Sequence, residues 1–274
     1  DPAEAPEPDV IDSDIVPDPD GDEVETERPV AGPAITDRIH RPATEMARPE
    51  RGRFILEPEF GTIIAAATVG AAGALATPLP SGAPSWNADG SLLALYETGT
   101  STPSHVLYDG VTFDRIGELP FTPLDIEELH WDPSDPNRLY FVEDVTLQAY
   151  DIESLDPLTG TQSQLPSPEG CTTLSTARSH KPLSADGTLI GLACENEDGK
   201  SWVALEIDTG ESIREPANGD GAPVPTADRS RFVVVSDDGL ASALDSTLQP
   251  TGISFQIETG GFILIQTDDG RDLL

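Results

Sequence analysis

The clearest signal along the chain is a recurring pair of features: a short polar turn centred on an aspartate, followed at once by four or five apolar residues. The first copy runs Trp86-Asn87-Ala88-Asp89-Gly90-Ser91 into Leu92-Leu93-Ala94-Leu95-Tyr96, and the second runs Trp131-Asp132-Pro133-Ser134-Asp135-Pro136-Asn137 into Leu139-Tyr140-Phe141-Val142. The third is Ser184-Ala185-Asp186-Gly187-Thr188 before Leu189-Ile190-Gly191-Leu192-Ala193, and the fourth is Thr226-Ala227-Asp228-Arg229-Ser230 before Phe232-Val233-Val234-Val235. A fifth begins at Asp268-Asp269-Gly270, with Leu273-Leu274 behind it. Unbroken apolar runs of this length, bounded by turn residues, predict strands buried on both faces. Asp-Gly and Pro-Asn supply the tight reversal that sends each strand back beside its neighbour.

A second echo follows each turn: Val106-Leu107-Tyr108-Asp109, Ala149-Tyr150-Asp151-Ile152, Ala204-Leu205-Glu206-Ile207-Asp208-Thr209-Gly210 and Ser242-Ala243-Leu244-Asp245. Each unit therefore reads as strand, Asp turn, strand, loop, strand, polar turn, strand. The aligned aspartates Asp89, Asp135, Asp186, Asp228 and Asp269 lie 46, 51, 42 and 41 residues apart, the spacing of four-stranded propeller blades. The expectation is an all-β protein, a β-propeller over residues 54 to 274. Strands near Phe54 and Ile63 offer to complete the fifth blade from the other end, which would leave no free sheet edge; the alternative is part of a ring of six to eight blades.

Pro84-Ser85-Trp86-Asn87-Ala88-Asp89-Gly90 resembles the P-S-W-S-P-D-G turn of the periplasmic TolB-type propeller repeats, and the resemblance covers roughly residues 54 to 274. The second copy carries an inserted residue, and the third and fourth keep the Asp turn without the tryptophan. The resemblance implies structural roles for Trp86, Asp89, Gly90, Trp131, Asp135, Asp186, Gly187, Asp228, Asp269 and Gly270: the aromatic packs between blades and the aspartate orders the turn. It implies a fold, not an activity.

Residues 1 to 53 differ in kind. Nine prolines recur among acids with few bulky apolar residues, so the segment reads as an extended arm, disordered alone and able to order along a partner. Arg38, Arg41, Arg48, Arg51 and Arg53 cluster at its end. The uncharged run from Phe60 to Leu79 approaches membrane-spanning length, but its Ala, Gly and Thr residues insert poorly and it reads better as short strands; membrane contact is not favoured. The chain begins at Asp1, so the numbering starts after processing or within a longer protein.

Charge narrows the function. With 50 acidic and 15 basic residues, the formal net charge is −35. Such a surface repels nucleic-acid phosphates and anionic lipids and suits a salty exterior or a cationic partner. Cys171 and Cys194 either form a disulfide, which would place the protein in the periplasm or outside the cell, or are two buried thiols.

Candidate chemistry is sparse. His130 and His180 precede Asp turns on or near innermost strands and could face a central channel, with Glu127, Glu128 or Gln148 as further metal ligands; channel histidines hold a metal in propeller-shaped pectate-fragment lyases. Asp14, Asp18, Asp20, Asp22 and Glu23 suggest a calcium loop, but the flanking prolines forbid the helices an EF-hand needs. No cofactor is therefore expected beyond this faint Ca2+ possibility. No G-x-S-x-G nucleophile elbow is present. Three readings stand in order of preference: a non-catalytic binding or assembly subunit whose arm engages protein partners, a polysaccharide-lyase-like enzyme with a channel metal, and a membrane-tethered accessory subunit of a larger complex.

Overall fold

The computed structural model describes residues 54–56, 63–66, 75–79, 83–98, 103–153, 159–176, 181–217, 219, 221–236, 239–256, 265–266 and 272–273. The chain divides into two compact units, residues 1–49 with 53–65, and residues 50–52 with 66–274. In the first, the described residues form one antiparallel hairpin, β1 (Phe54–Leu56) against β2 (Ile63–Ala65). Within the Phe60 to Leu79 run, Ile63–Ala65 and Leu75–Pro78 are strand, and among the described residues no helix is long and apolar enough to cross a membrane. The arm, its acidic string and its arginines lie outside the described residues.

In the second unit the described residues form four four-stranded antiparallel sheets, each a simple meander in chain order. Sheet I holds β3 (Leu75–Pro78), β4 (Leu92–Thr98), β5 (Ser104–Asp109) and β6 (Arg115–Glu118). Sheet II holds β7 (Leu129–Trp131), β8 (Arg138–Glu143), β9 (Thr146–Asp151) and β10 (Thr161–Gln164). Sheet III holds β11 (Thr173–Ser175), β12 (Leu189–Asn196), β13 (Gly199–Glu206) and β14 (Ser212–Pro216), and sheet IV holds β15 (Val224–Pro225), β16 (Arg231–Val235), β17 (Leu240–Asp245) and β18 (Pro250–Gln256). A two-residue pair, β19 (Ile265–Gln266) with β20 (Asp272–Leu273), follows. Asp269 and Gly270, the fifth turn, lie outside the described residues.

The unbroken apolar runs are explained by what each sheet meets. Side chains alternate between faces along a strand, and both faces of the middle sheets are covered. Leu139 and Phe141 of β8 pack with Leu92, Ala94 and Leu107 of sheet I, while Tyr140 and Val142 pack with Ile190, Leu192 and Val203 of sheet III. Sheets III and IV share a third core through Trp202, Ala204, Phe232 and Leu244. At the last seam the backbones come so close that a Cβ on Gly191 would lie 1.6 Å from the Pro223 carbonyl oxygen. Within sheet III a disulfide joins Cys171, just before β11, to Cys194 on β12.

Candidate functional site: the Asp-turn rim and a buried polar seam

The four described Asp turns lie on one rim, joining each sheet's innermost segment to its second strand. Three share the same bonds. The amide of the residue after the aspartate reaches back to the carbonyl three positions earlier: Gly90 to Asn87 (3.2 Å), Gly187 to Ser184 (3.0 Å) and Arg229 to Thr226 (2.9 Å). That residue has positive φ, 75° at Gly90, 72° at Gly187 and 59° at Arg229. Glycine takes this conformation freely; an arginine there costs about 1 kcal/mol.

The aspartate then accepts bonds from the residue two positions on. Asp89 accepts from the Ser91 amide (3.0 Å) and hydroxyl (2.6 Å), Asp186 from Thr188 (3.2 and 2.9 Å) and Asp228 from Ser230 (3.0 and 2.8 Å). These bonds hold the Asp89 and Asp228 carboxyls below the usual range. The polar residue two positions earlier closes the other side, as Asn87 does for the Leu92 amide and Ser184 for the Leu189 amide, both at 3.0 Å. In sheet II the inserted residue splits this bonding between two aspartates. Asp132 accepts from Ser134 and from the Asp135 amide, and Asp135 accepts from the Asn137 amide.

The turns are also tied to one another. Asn87 Nδ2 donates to the Pro136 carbonyl (2.8 Å), and Ser134 Oγ, which donates to Asp132 Oδ1 (2.8 Å), lies 3.4 Å from the Asp186 carbonyl. Arg229 spans the next seam to Asp186 (3.4 Å) and Glu206. Trp131, 3% exposed, fills the first seam and donates through Nε1 to the Ser85 carbonyl at 3.0 Å. Trp86 departs from the packing expected of its motif. It is 46% exposed, and its indole N–H turns to Gly110 of its own sheet at 3.4 Å. An open groove of about 550 Å³ lies on this rim between sheets III and IV, floored by Leu189, Ala204 and Phe232 and edged by Glu206, Glu211 and Arg229.

The expected metal ligands that lie among the described residues do not converge. His130 lies on innermost strand β7, but it is buried and points into the seam with sheet III, where Nε2 is 3.2 Å from Thr176 Oγ1. Glu128, on the same face, accepts from the Thr176 amide (2.8 and 3.1 Å) and from its hydroxyl (2.9 Å). A hydroxyl has one proton, and here it goes to the carboxylate, so the threonine oxygen accepts from His130 Nε2–H. The chain of donors runs from imidazole through hydroxyl to carboxylate. Gln148 belongs to the opposite face, beside Phe141 and Tyr150, and bonds Thr146. His180 lies outside the described residues, and among the described residues no three His, Cys, Asp or Glu side chains form a metal-sized group. Burial pushes the His130 imidazole down to about 3 and raises the Glu128 carboxyl, aided by the charges of Asp125 and Glu127. His105, buried on β5 against Tyr96, is pushed down to about 4.

Thr176 and Arg229 escape a reading of the sequence. Thr176 sits outside every repeat motif and meets its partners across 46 and 48 residues. Arg229 carried a usable signal, since it occupies the glycine position of the Asp-Gly turn.

No described protein family matches the sequence, and no curated protein matches it. The fold is similar to that of TolB from Acinetobacter baumannii, whose crystal structure aligns over 72% of this chain with a TM-score of 0.51 and 20% sequence identity. The match covers 46% of that protein, so the chain spans less than half its length. At this identity the likeness shows the β-propeller fold alone, and the four-stranded sheets are its blades.

Proposed function

We propose that the chain is a non-catalytic β-propeller module, secreted or periplasmic, that binds a protein partner or serves as a subunit of a larger assembly. The observation that carries this reading is how the polar side chains of the repeat are used. The turn aspartates and the polar residues beside them bond within their own turns or across to the next blade, and the His130–Thr176–Glu128 chain bonds across a seam. These groups build a rigid frame, and they leave an acidic exterior to meet partners. The disulfide supports an oxidising compartment. In this reading the four-stranded sheets are blades of a ring of five, or of part of a ring of six to eight, and the Pro-rich arm reaches the partner.

The test is native mass spectrometry of a tagged full chain isolated from its source organism in low and physiological salt. A stoichiometric protein complex that dissociates as salt rises is expected. The monomer alone at both salt levels, together with metal-dependent cleavage of acidic glycans that is lost in His130→Ala, would refute the proposal.

A further inference from the structure

Of the three tryptophans, Trp131 and Trp202 are buried in seams at 3% and 2% exposure, and Trp86 is not. Val111, at the tip of the β5–β6 turn, is 61% exposed. The two belong to one small surface. Trp86 Nε1 donates to the carbonyl of Gly110, the residue before Val111, and the Gly110 amide donates to the Ser91 carbonyl at 2.7 Å. A Cβ on Gly110 would stand 2.1 Å from the Gly90 carbonyl oxygen, so the Asp turn and the β5–β6 turn lie backbone against backbone. The apolar pair is thus mounted on two interlocked turns and loses little freedom on binding.

The charges within these two turns have one sign. Asp89 lies in the first turn; Asp109 and Asp114 bracket the second. Asp109 is fixed by the Val111 and Thr112 amides at 2.8 and 2.7 Å, and Asp114 accepts from the Thr112 hydroxyl at 3.0 Å. The adjacent cation, Arg115, is drawn to Glu97 and Glu118 at 3.4 and 2.9 Å. An exposed indole on a turn that carries one carboxylate, locked to a second turn that carries two, suits a cation that stacks on the ring while its charge is matched nearby.

We propose that the Asp-turn rim of sheet I is a docking surface for an arginine-bearing segment of a protein partner, with Trp86 and Val111 as its apolar anchor and Asp89, Asp109 and Asp114 as its charged border. The proposal rests on the assembly reading above and names the face that engages.

The probe is a fluorescein-labelled Arg-Gly-Arg-Gly-Arg peptide, titrated into the full chain at low and physiological salt and followed by anisotropy. Saturable one-to-one binding is expected. Affinity falls about tenfold in a Trp86→Ser/Val111→Ser variant and about threefold in Asp109→Asn. It is unchanged in Asp198→Asn, an exposed acid in the β12–β13 turn on the opposite rim. Both tryptophan and valine are exposed, so the variant keeps its fold, and circular dichroism checks that it does. The proposal is overturned if the wild type does not bind the peptide, if the double variant binds it as tightly as the wild type, or if Asp198→Asn weakens binding as much as Asp109→Asn. A stoichiometric partner that still holds the double variant would sink this surface while leaving the assembly reading intact.

Discussion

Lowering the pH from 7 to 5 should weaken the fold by charging two imidazoles that the native state keeps neutral. His130 is sealed in the seam between sheets II and III, and His105 is buried against Tyr96; their pKa values fall from 6.5 to about 3 and about 4. A group with a depressed folded pKa contributes stability above its unfolded pKa and loses it as pH drops toward the folded value. The window here runs from pH 6.5 down to 3 or 4. Between pH 7 and 5 the unfolded chain takes up about 0.7 proton per histidine and the native state almost none, a loss of about 2 kcal/mol each. Two such losses would be a large part of a net stability of order 10 kcal/mol.

Glu128 works against this, because its raised pKa gives stability that is fully present below the ordinary carboxylate value and is lost as pH rises through the folded one, so about 4 kcal/mol is the upper figure. The depressed aspartates Asp89, Asp109, Asp186, Asp228 and Asp245 lose their contribution only below their ordinary value of 3.8, outside the interval. The assay is guanidinium unfolding at pH 7 and pH 5 for the wild type and a His105→Asn/His130→Asn variant. The quantity compared is each protein's change between the two pH values, which cancels the cost of the substitutions and the general charge effect. The same change in both proteins would refute the reasoning.

Two further perturbations test the frame itself. Gly191→Ala places a methyl group 1.6 Å from the Pro223 carbonyl oxygen, and because backbone must move to admit it we expect a loss of about 3 kcal/mol; an unchanged denaturation midpoint would show that the sheet III–IV seam yields without cost. Replacing both cysteines by alanine opens a loop spanning 23 residues and should cost about 3 kcal/mol. Reductant should bring the wild type to the level of that variant and leave the variant unmoved, as read by thermal unfolding with and without dithiothreitol.

The strands and the turns between them are legible in the residues, because both are local. An aspartate two residues before a serine or threonine finds its hydrogen-bond donors within its own turn, so the turns at Asp89, Asp186 and Asp228 were legible from their residues, as was the longer turn of sheet II from its extra residue. The period of about 45 residues followed, and with it the propeller. What each motif faces depends on how the sheets pack. Trp86 and Trp131 hold the same place before their Asp turns, yet one lies half in solvent and the other fills a seam. Burial depends on the neighbouring sheet, and no local pattern encodes it. The same reason moved His130 from an expected channel into a seam: a residue on an innermost strand can point to either face, and its partner Thr176 lies 46 residues away with no motif to announce it. Arg229 shows both halves at once. Its place in the turn was readable, but the two carboxylates that compensate its strained backbone belong to another sheet.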